Sequence, residues 1–305
     1  MRVYLLPDKN SQADRESWLR TQFGLGLPQT EIVYTVSDSN SVSGGNLPLA
    51  RDARIVRDTD IVIPISIRRS GAMARLLETA RSEGKRIVED FECPYVDRAV
   101  PLAYVIGNED LNPELSGLAD RYIFHWTRAT NTAWPGERLI DFYHDIMASE
   151  SYPRSAFDTL CRILRDRLLI ASSRHMPERI PTVSFSGLPP AETAPLMRWR
   201  ARYSEMSFEP YGIGIDKQAC ERVGIRAVRY CNRSESVSEF GEERWLQQAI
   251  GSITDWRQEK EYRHRGDLSL AELSTDELVV VSRTPEEARG IEKRFQIKAV
   301  SYCRL

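Results

Sequence analysis

Apolar and polar positions alternate in short blocks along the first hundred residues, the pattern of an α/β domain. Val3 to Leu6 (VYLL) reads as a strand, ADRESWLRTQF as a helix, and Glu31 to Val36 (EIVYTV) as a second strand. A Ser-, Asn- and Gly-rich stretch, SDSNSVSGGNLP, follows as a pliant loop. Asp60 to Ile67 (DIVIPISI) is nearly all apolar, which predicts a strand covered on both faces. In SGAMARLLETARSEGK, Ala72, Leu76, Leu77 and Ala80 form one helical stripe and Gly84 makes a stop. Arg86 to Phe91 restarts a strand. Strand, RRSG turn, helix and strand together predict a βαβ module in a Rossmann-like N-terminal domain, residues 1–110. Between Ala99 and Leu118, Pro101 and Pro113 interrupt the periodicity, and a linker is expected there.

The pattern then changes, and residues 119–305 predict a mixed α+β domain. RYIFHWTRA is strand-like, and RLIDFYHDIMASE and SAFDTLCRILRDRLL predict a helical hairpin. The second of these helices sets Phe157, Leu160, Ile163, Leu164 and Leu168 on one face. Short strands follow: TVSFSG, YGIGID, AVRYC, KEYRHR, ELVVVS and IKAVSY. Helices are expected at ERWLQQAIGSITDW and PEEARGIEKRF. No internal repeat and no low-complexity tail is visible.

Composition narrows the function classes. With 42 Lys and Arg against 44 Asp and Glu, the chain lacks the excess cation of a general nucleic-acid coat, although a local basic patch remains compatible. The first residues, MRVYLLPDKN, lack the long apolar core expected of a signal peptide, and no run nears the roughly 18 apolar residues a membrane helix needs. Five scattered cysteines and four dispersed histidines show no zinc spacing. Reduced thiols in the cytoplasm, no metal and no membrane partner are the expectations. A GxSxG elbow and a GxxxxGK[ST] loop are both absent, which removes the simplest hydrolase and P-loop readings.

Two regions carry candidate chemistry. In RRSG, a strand end meets a helix start, so free N–H groups, Arg68 and Arg69 would cradle phosphate beside Ser70 and Gly71. The dinucleotide fingerprint GxGxxG is absent, and Ser70 would also serve as an ordinary helix cap. The stretch DTDIVIPISIRRSGAMARLLETARSEGKRIV resembles the SLOG group of Rossmann-like proteins, which includes the DNA-processing protein DprA. That resemblance implies a nucleotide or single-stranded DNA ligand.

In the second region, RIPTVSFSGLPPAETAPL, FEPYGIGIDKQACERVGIRAVRYCN and WRQEKEYRHRG form an ordered trio. The trio, with FHWTRA and ILRDRLLIAS, resembles the abortive phage resistance AbiGi family, described as antitoxins. The resemblance spans about Tyr122 to Leu270 and implies a phage-defence setting with other defence proteins as partners. The order of an H-x-T strand, an S-x-S strand, a Tyr strand and a late Glu strand is also similar to ADP-ribosyltransferases of the DarT kind. That likeness implies NAD held by His125 and Thr127, a pocket lined by Ser184 and Ser186, and Tyr211 stacked on nicotinamide. Glu261 would be the key carboxylate and Glu259 its companion, because breaking the glycosidic bond builds positive charge that a carboxylate stabilises.

Each residue also fits a plain structural role. His125, between Phe124 and Trp126, suits a hydrogen-bonded core site. Ser184 and Ser186 suit the outward positions of a strand that packs Val183 and Phe185. Tyr211 suits a strand start, with Gly212 and Gly214 admitting close backbone approach. Glu259 and Glu261 suit ion pairs with neighbours such as Arg263. Arg198, Arg200 and Arg202, interleaved with Trp199 and Tyr203, mix cations and aromatics as nucleic-acid sites do. The leading expectation is an NAD-using defence effector with a nucleotide-sensing N-terminal domain. The alternatives are a non-enzymatic antitoxin or interaction module, and a DNA-binding accessory protein.

Overall fold

The structure is a computed structural model that describes residues 2–5, 12–26, 30–34, 47–95, 104–174, 176–200, 205–231, 237–250 and 256–304. The chain divides into two compact units, residues 1–99 with 138–143, and residues 100–137 with 144–305.

In the first unit, strands and helices alternate: β1 (Arg2–Leu5), α1 (Gln12–Phe23), β2 (Glu31–Tyr34), α2 (Leu47–Asp58), β3 (Ile61–Val62), α3 (Ala72–Ser82) and β4 (Arg86–Ile87). β1 pairs with β2 and β3 with β4, both in parallel, which requires the helical crossovers between them. Among the described residues the strands form two separate pairs rather than one wound sheet. Helix α3 buries Leu77 and Ala80 with Val56, and Gly84 at φ 82° ends the turn that follows it. The apolar run Asp60 to Ile67 departs from expectation. Only Ile61–Val62 is strand, and Ile61, Ile63 and Ile65 are exposed. A continuous apolar run marks a covered strand only where layers lie on both faces, and β3 has one described partner, β4.

The second unit is a mixed α/β layer structure. Its first elements are α4 (Glu114–Leu118), β5 (Tyr122–Trp126), α5 (Leu139–Ala148), which begins in the first unit, α6 (Ala156–Asp166), β6 (Leu168–Leu169) and β7 (Thr182–Ser186). Next come α7 (Pro190–Thr193), β8 (Trp199–Arg200), β9 (Glu205–Met206), β10 (Gly212–Asp216), α8 (Lys217–Cys220), β11 (Arg226–Ala227) and β12 (Arg229–Cys231). The last are β13 (Gln247–Ala249), β14 (Glu261–Arg265), β15 (Leu268–Ser269), β16 (Leu278–Ser282), α9 (Pro285–Phe295) and β17 (Ala299–Ser301). Seven strands make one sheet in the order β11-β14-β7-β5-β10-β16-β17, antiparallel except for β16 beside β17.

Strand alternation gives this sheet two apolar faces. Ile123, Val183, Phe185, Ile213 and Val280 pack against Leu160 and Leu164 of α6 and Ile291 of α9. Phe124, Trp126, Val279 and Val281 pack on the other face with Leu115, Met197 and Tyr302. Because both faces are covered, β16 reads as an unbroken apolar run, LVVVS, and all five residues are buried. Helix α6 starts at a capping box in which Ser155 accepts from the Asp158 amide and Asp158 accepts from that of Ser155. It ends at Arg167, φ 50°, so Leu168 leaves the helix for β6 instead of extending its apolar stripe.

Gly212 and Gly214 have a steric reason. A Cβ on Gly212 would lie 2.9 Å from the Trp126 ring, and one on Gly214 would lie 2.8 Å from the Phe124 ring and 2.6 Å from Val279. The two glycines let these rings lie across β10. Over its described part, 243–250, the helix expected at ERWLQQAIGSITDW is not formed; tight turns run to Leu246 and β13 follows, while residues 251–255 lie outside the described residues. The carbonyls of Trp245 and Gln247, which a helix would use internally, instead accept from the Arg263 guanidinium at 2.9 and 3.0 Å. Among the described residues no helix is long and apolar enough to cross a membrane, and no group of three or more His, Cys, Asp or Glu is placed to hold a metal ion.

Candidate functional site

The carboxylate pair sits at a bend. Glu259 closes a tight turn, Trp256–Glu259, and Glu261 opens β14. Between them Lys260 has φ 47°, a left-handed conformation that costs a non-glycine residue on the order of 1 kcal/mol. The neighbouring strand holds it there. The Gly187 amide donates to the Lys260 carbonyl at 2.9 Å, and the Ser186 hydroxyl donates to the Glu259 carbonyl at 3.0 Å. A Cβ at Gly187 would lie 3.1 Å from both Lys260 and the Tyr262 ring, so glycine suits this approach. The two carboxylates therefore share one cleft through a strained bend, not through regular strand alternation.

Glu261 is anchored. Its Oε1 accepts from Arg263 Nε at 2.8 Å and from the Ser184 hydroxyl at 3.1 Å, and its Oε2 accepts from Arg263 Nη2 at 3.1 Å. The guanidinium of Arg263 is 2% exposed and has its remaining donors on the Trp245 and Gln247 carbonyls and the Gln248 side chain. This is a bidentate pair with every donor direction used, the condition under which a buried ion pair is tolerated. Glu259 differs. Its carboxyl has no hydrogen-bond partner among the described residues, and its pKa is pushed up to about 7, first by burial and then by the charge of Glu261, with Arg200 opposing. One carboxylate is fixed and paired, while its neighbour changes protonation near neutral pH.

Both line a cleft of about 410 Å³, within the roughly 300–1,000 Å³ of small-molecule sites. Ser184, Ser186 and Arg200 border the same cleft, together with the aromatic rings of Trp126 and Phe208. A cationic group forms another part of its wall. Glu205 ion-pairs with Arg128 at 3.1 Å and Arg174 at 3.4 Å, and lies opposite Arg200 in the β8–β9 hairpin.

Two expected ligand holders, Thr127 and Tyr211, are placed elsewhere, and a third, His125, turns its ring away. His125 borders the cleft, but strand alternation turns its ring to the opposite face, edge-on to Phe185 at 5.8 Å. Its Nδ1 is 2.9 Å from the Ser184 carbonyl and so carries the hydrogen, while burial lowers the imidazole pKa. Thr127 is 2% exposed, with its hydroxyl 2.9 Å from the Ala156 carbonyl and 3.2 Å from that of Tyr211. Tyr211 packs against Phe157 and donates to Glu287 at 3.0 Å, and burial pushes its phenol well above the ordinary range. These two are core residues because β5 and β10 offer them the face that α6 covers. Neither can touch a ligand beside Glu261.

Of the arginine trio, Arg200 lines the cleft, Arg198 is exposed and outside its lining, and Arg202 lies outside the described residues. The RRSG turn lies in the first unit at a second cavity, about 620 Å³, which Arg68, Arg69 and Ser70 line with Glu92 and Tyr95. Arg68 stacks over the Tyr95 ring at 5.2 Å and donates to its hydroxyl at 2.9 Å. Ser70 is not the helix cap: Gly71 takes that position without a side-chain bond, and its amide donates to the Arg68 carbonyl at 2.8 Å.

Comparison of the chain with protein-family models, with curated proteins and with solved structures finds no match. Trp126, Phe208, Arg128, Arg174 and Glu205 went unrecognised in the sequence. Trp126 had a readable signal, since it alternates with Phe124 along one predicted strand. The arginines had none, because they come from separate loops.

Proposed function

We propose that the cleft beside β7 and β14 is the active site of an ADP-ribosyltransferase-like enzyme that consumes NAD, in an anti-phage defence protein of AbiGi type. The observation supporting this is the meeting of Ser184, Arg200, Glu259 and Glu261, distant in the chain, on one open cleft with aromatic walls. In this reading the flat partner for a ligand ring is Phe208, backed edge-on by the buried Trp126, in place of Tyr211. Glycosidic cleavage breaks the bond between the ribose carbon and the pyridinium nitrogen, and the electron pair leaves with nicotinamide. Glu261, fixed by Arg263 and Ser184, faces the positive charge left on the sugar. Glu259 takes the proton from the attacking nucleophile as the new bond forms, and a pKa near 7 suits a base working at neutral pH. The first unit, in the same reading, is a Rossmann-like, SLOG-type sensor that holds nucleotide phosphate at Arg68 to Gly71.

The test is nicotinamide release from NAD, followed by chromatography, with nucleic-acid and protein acceptors supplied. Wild type releases nicotinamide. Glu259→Gln and Glu261→Gln fall by about 100-fold or more while keeping a cooperative unfolding transition. No release from folded wild type under any acceptor condition overturns the enzymatic reading. A second reading, a non-enzymatic interaction module, draws on the Arg263–Glu261 pair, which ties β14 to the segment around Trp245–Gln248. Under that reading partner binding survives Glu259→Gln.

A further inference from the structure

The arginine part of the cleft carries an arrangement that fold stability does not require. Arg128 follows β5, Arg174 follows β6 and Arg200 ends β8, so three separate segments bring guanidinium groups to one wall. Two of them meet on a single carboxylate, Glu205, whose two oxygens are divided between Arg128 at 3.1 Å and Arg174 at 3.4 Å, while Arg200 is its backbone partner across the β8–β9 pair. The side chains of Arg128 and Arg174 are 42% and 59% exposed. Ion pairs so open to water contribute little to folding. What the geometry does supply is planar, solvent-exposed cations around one anion position in a cavity.

We propose that this wall is a seat for the phosphates of a nucleotide diphosphate, and that Glu205 fills it as an internal anion which the ligand displaces. The inference rests on reading this cleft as a nucleotide-consuming site, and it adds which end takes the phosphates and what sets their affinity. A diphosphate offers more charge and more acceptor oxygens than one carboxylate, so it wins the arginines in fork-like pairs. Displacement of Glu205 subtracts from the gain, which keeps binding weak enough for turnover. Seating the phosphates there sends the sugar toward Glu259 and Glu261, which line the same cleft, with the ring of Phe208 alongside.

The experiment measures ADP-ribose binding to the full-length chain by calorimetry at low salt, and is independent of turnover. Glu205→Gln binds about tenfold tighter than wild type, the order expected for removing a competitor held by two exposed ion pairs. Arg174→Ala and Arg128→Ala each weaken binding by about tenfold, and raising salt weakens wild type. Glu272→Gln, the same charge change on an exposed residue outside the cleft, leaves affinity within about twofold and controls for net charge. Should Glu205→Gln fail to fold, the two arginine variants decide, because both side chains are exposed. Unchanged or weaker binding by a folded Glu205→Gln, an equal gain in Glu272→Gln, insensitivity to both arginine variants, or no binding by any variant overturns the inference. ADP-ribose binding with these dependences but without nicotinamide release retains the phosphate seat and removes only the proposed reaction.

Discussion

Replacing Glu259 by glutamine should make the protein more stable at alkaline pH and no more stable in acid. Burial and the neighbouring charge of Glu261 raise the Glu259 pKa from an ordinary 4.5 to about 7. The folded chain therefore binds this proton more tightly than the unfolded chain does, so stability falls as pH rises between those two values and is flat outside them. The gap is worth about 3 kcal/mol at most, reduced to the extent that the carboxyl still meets solvent. Glutamine keeps the shape without the charge. Its stability advantage over wild type should be near zero at pH 4, grow through pH 5 and 6, and level off by pH 8. Urea unfolding at each pH, with both proteins compared at equal m-value, reads this directly. A variant no more stable than wild type at pH 8, or an advantage that does not grow with pH, would refute the burial of an unpaired carboxyl. The same variant should lose nicotinamide release, a trade of stability for chemistry that active sites commonly make.

Four further outcomes are expected. Gly214→Ala should destabilise by about 1–3 kcal/mol, because its Cβ would lie 2.6 Å from Val279 and 2.8 Å from the Phe124 ring; a melt unchanged from wild type would remove the steric account of the glycine pair. Arg263→Leu should cost about 3–5 kcal/mol by leaving Glu261 buried without its partner, and adding Glu261→Leu should recover much of that loss in denaturant unfolding. Leu160→Ala, at a fully buried position of α6, should cost about 2–5 kcal/mol by the same measurement. Tyr211→Phe should cost about 1 kcal/mol for the lost bond to Glu287 and leave any NAD turnover intact; a selective loss of turnover would return Tyr211 to the site.

Much of the second unit was legible in the chain. The period-two pattern of TVSFS, the unbroken LVVVS, and the amphipathic run SAFDTLCRILRDRLL each had one stable burial, and the structure contains β7, β16 and α6 accordingly. The Ser-x-Ser strand sets Ser184 and Ser186 on one face as its spacing implies, whereas the Glu-x-Glu pair meets the cleft only through the left-handed bend at Lys260. What sequence could not tell was which face. His125 and Tyr211 carry the right chemistry for a ligand, yet both side chains point into the layer that α6 covers. A strand's alternation specifies that neighbours diverge, while only the packing of helices on the sheet decides which direction leads to core and which to a cleft. The same limit hid Arg128, Arg174 and Glu205, and it misread 243–250 as helix. The competitor for those backbone carbonyls was Arg263, a residue that sequence alone could not bring within bonding distance. Local pattern settles elements whose partners are near in the chain, and long-range closure settles sites, because a site is made of groups whose attraction begins only once the fold has brought them together.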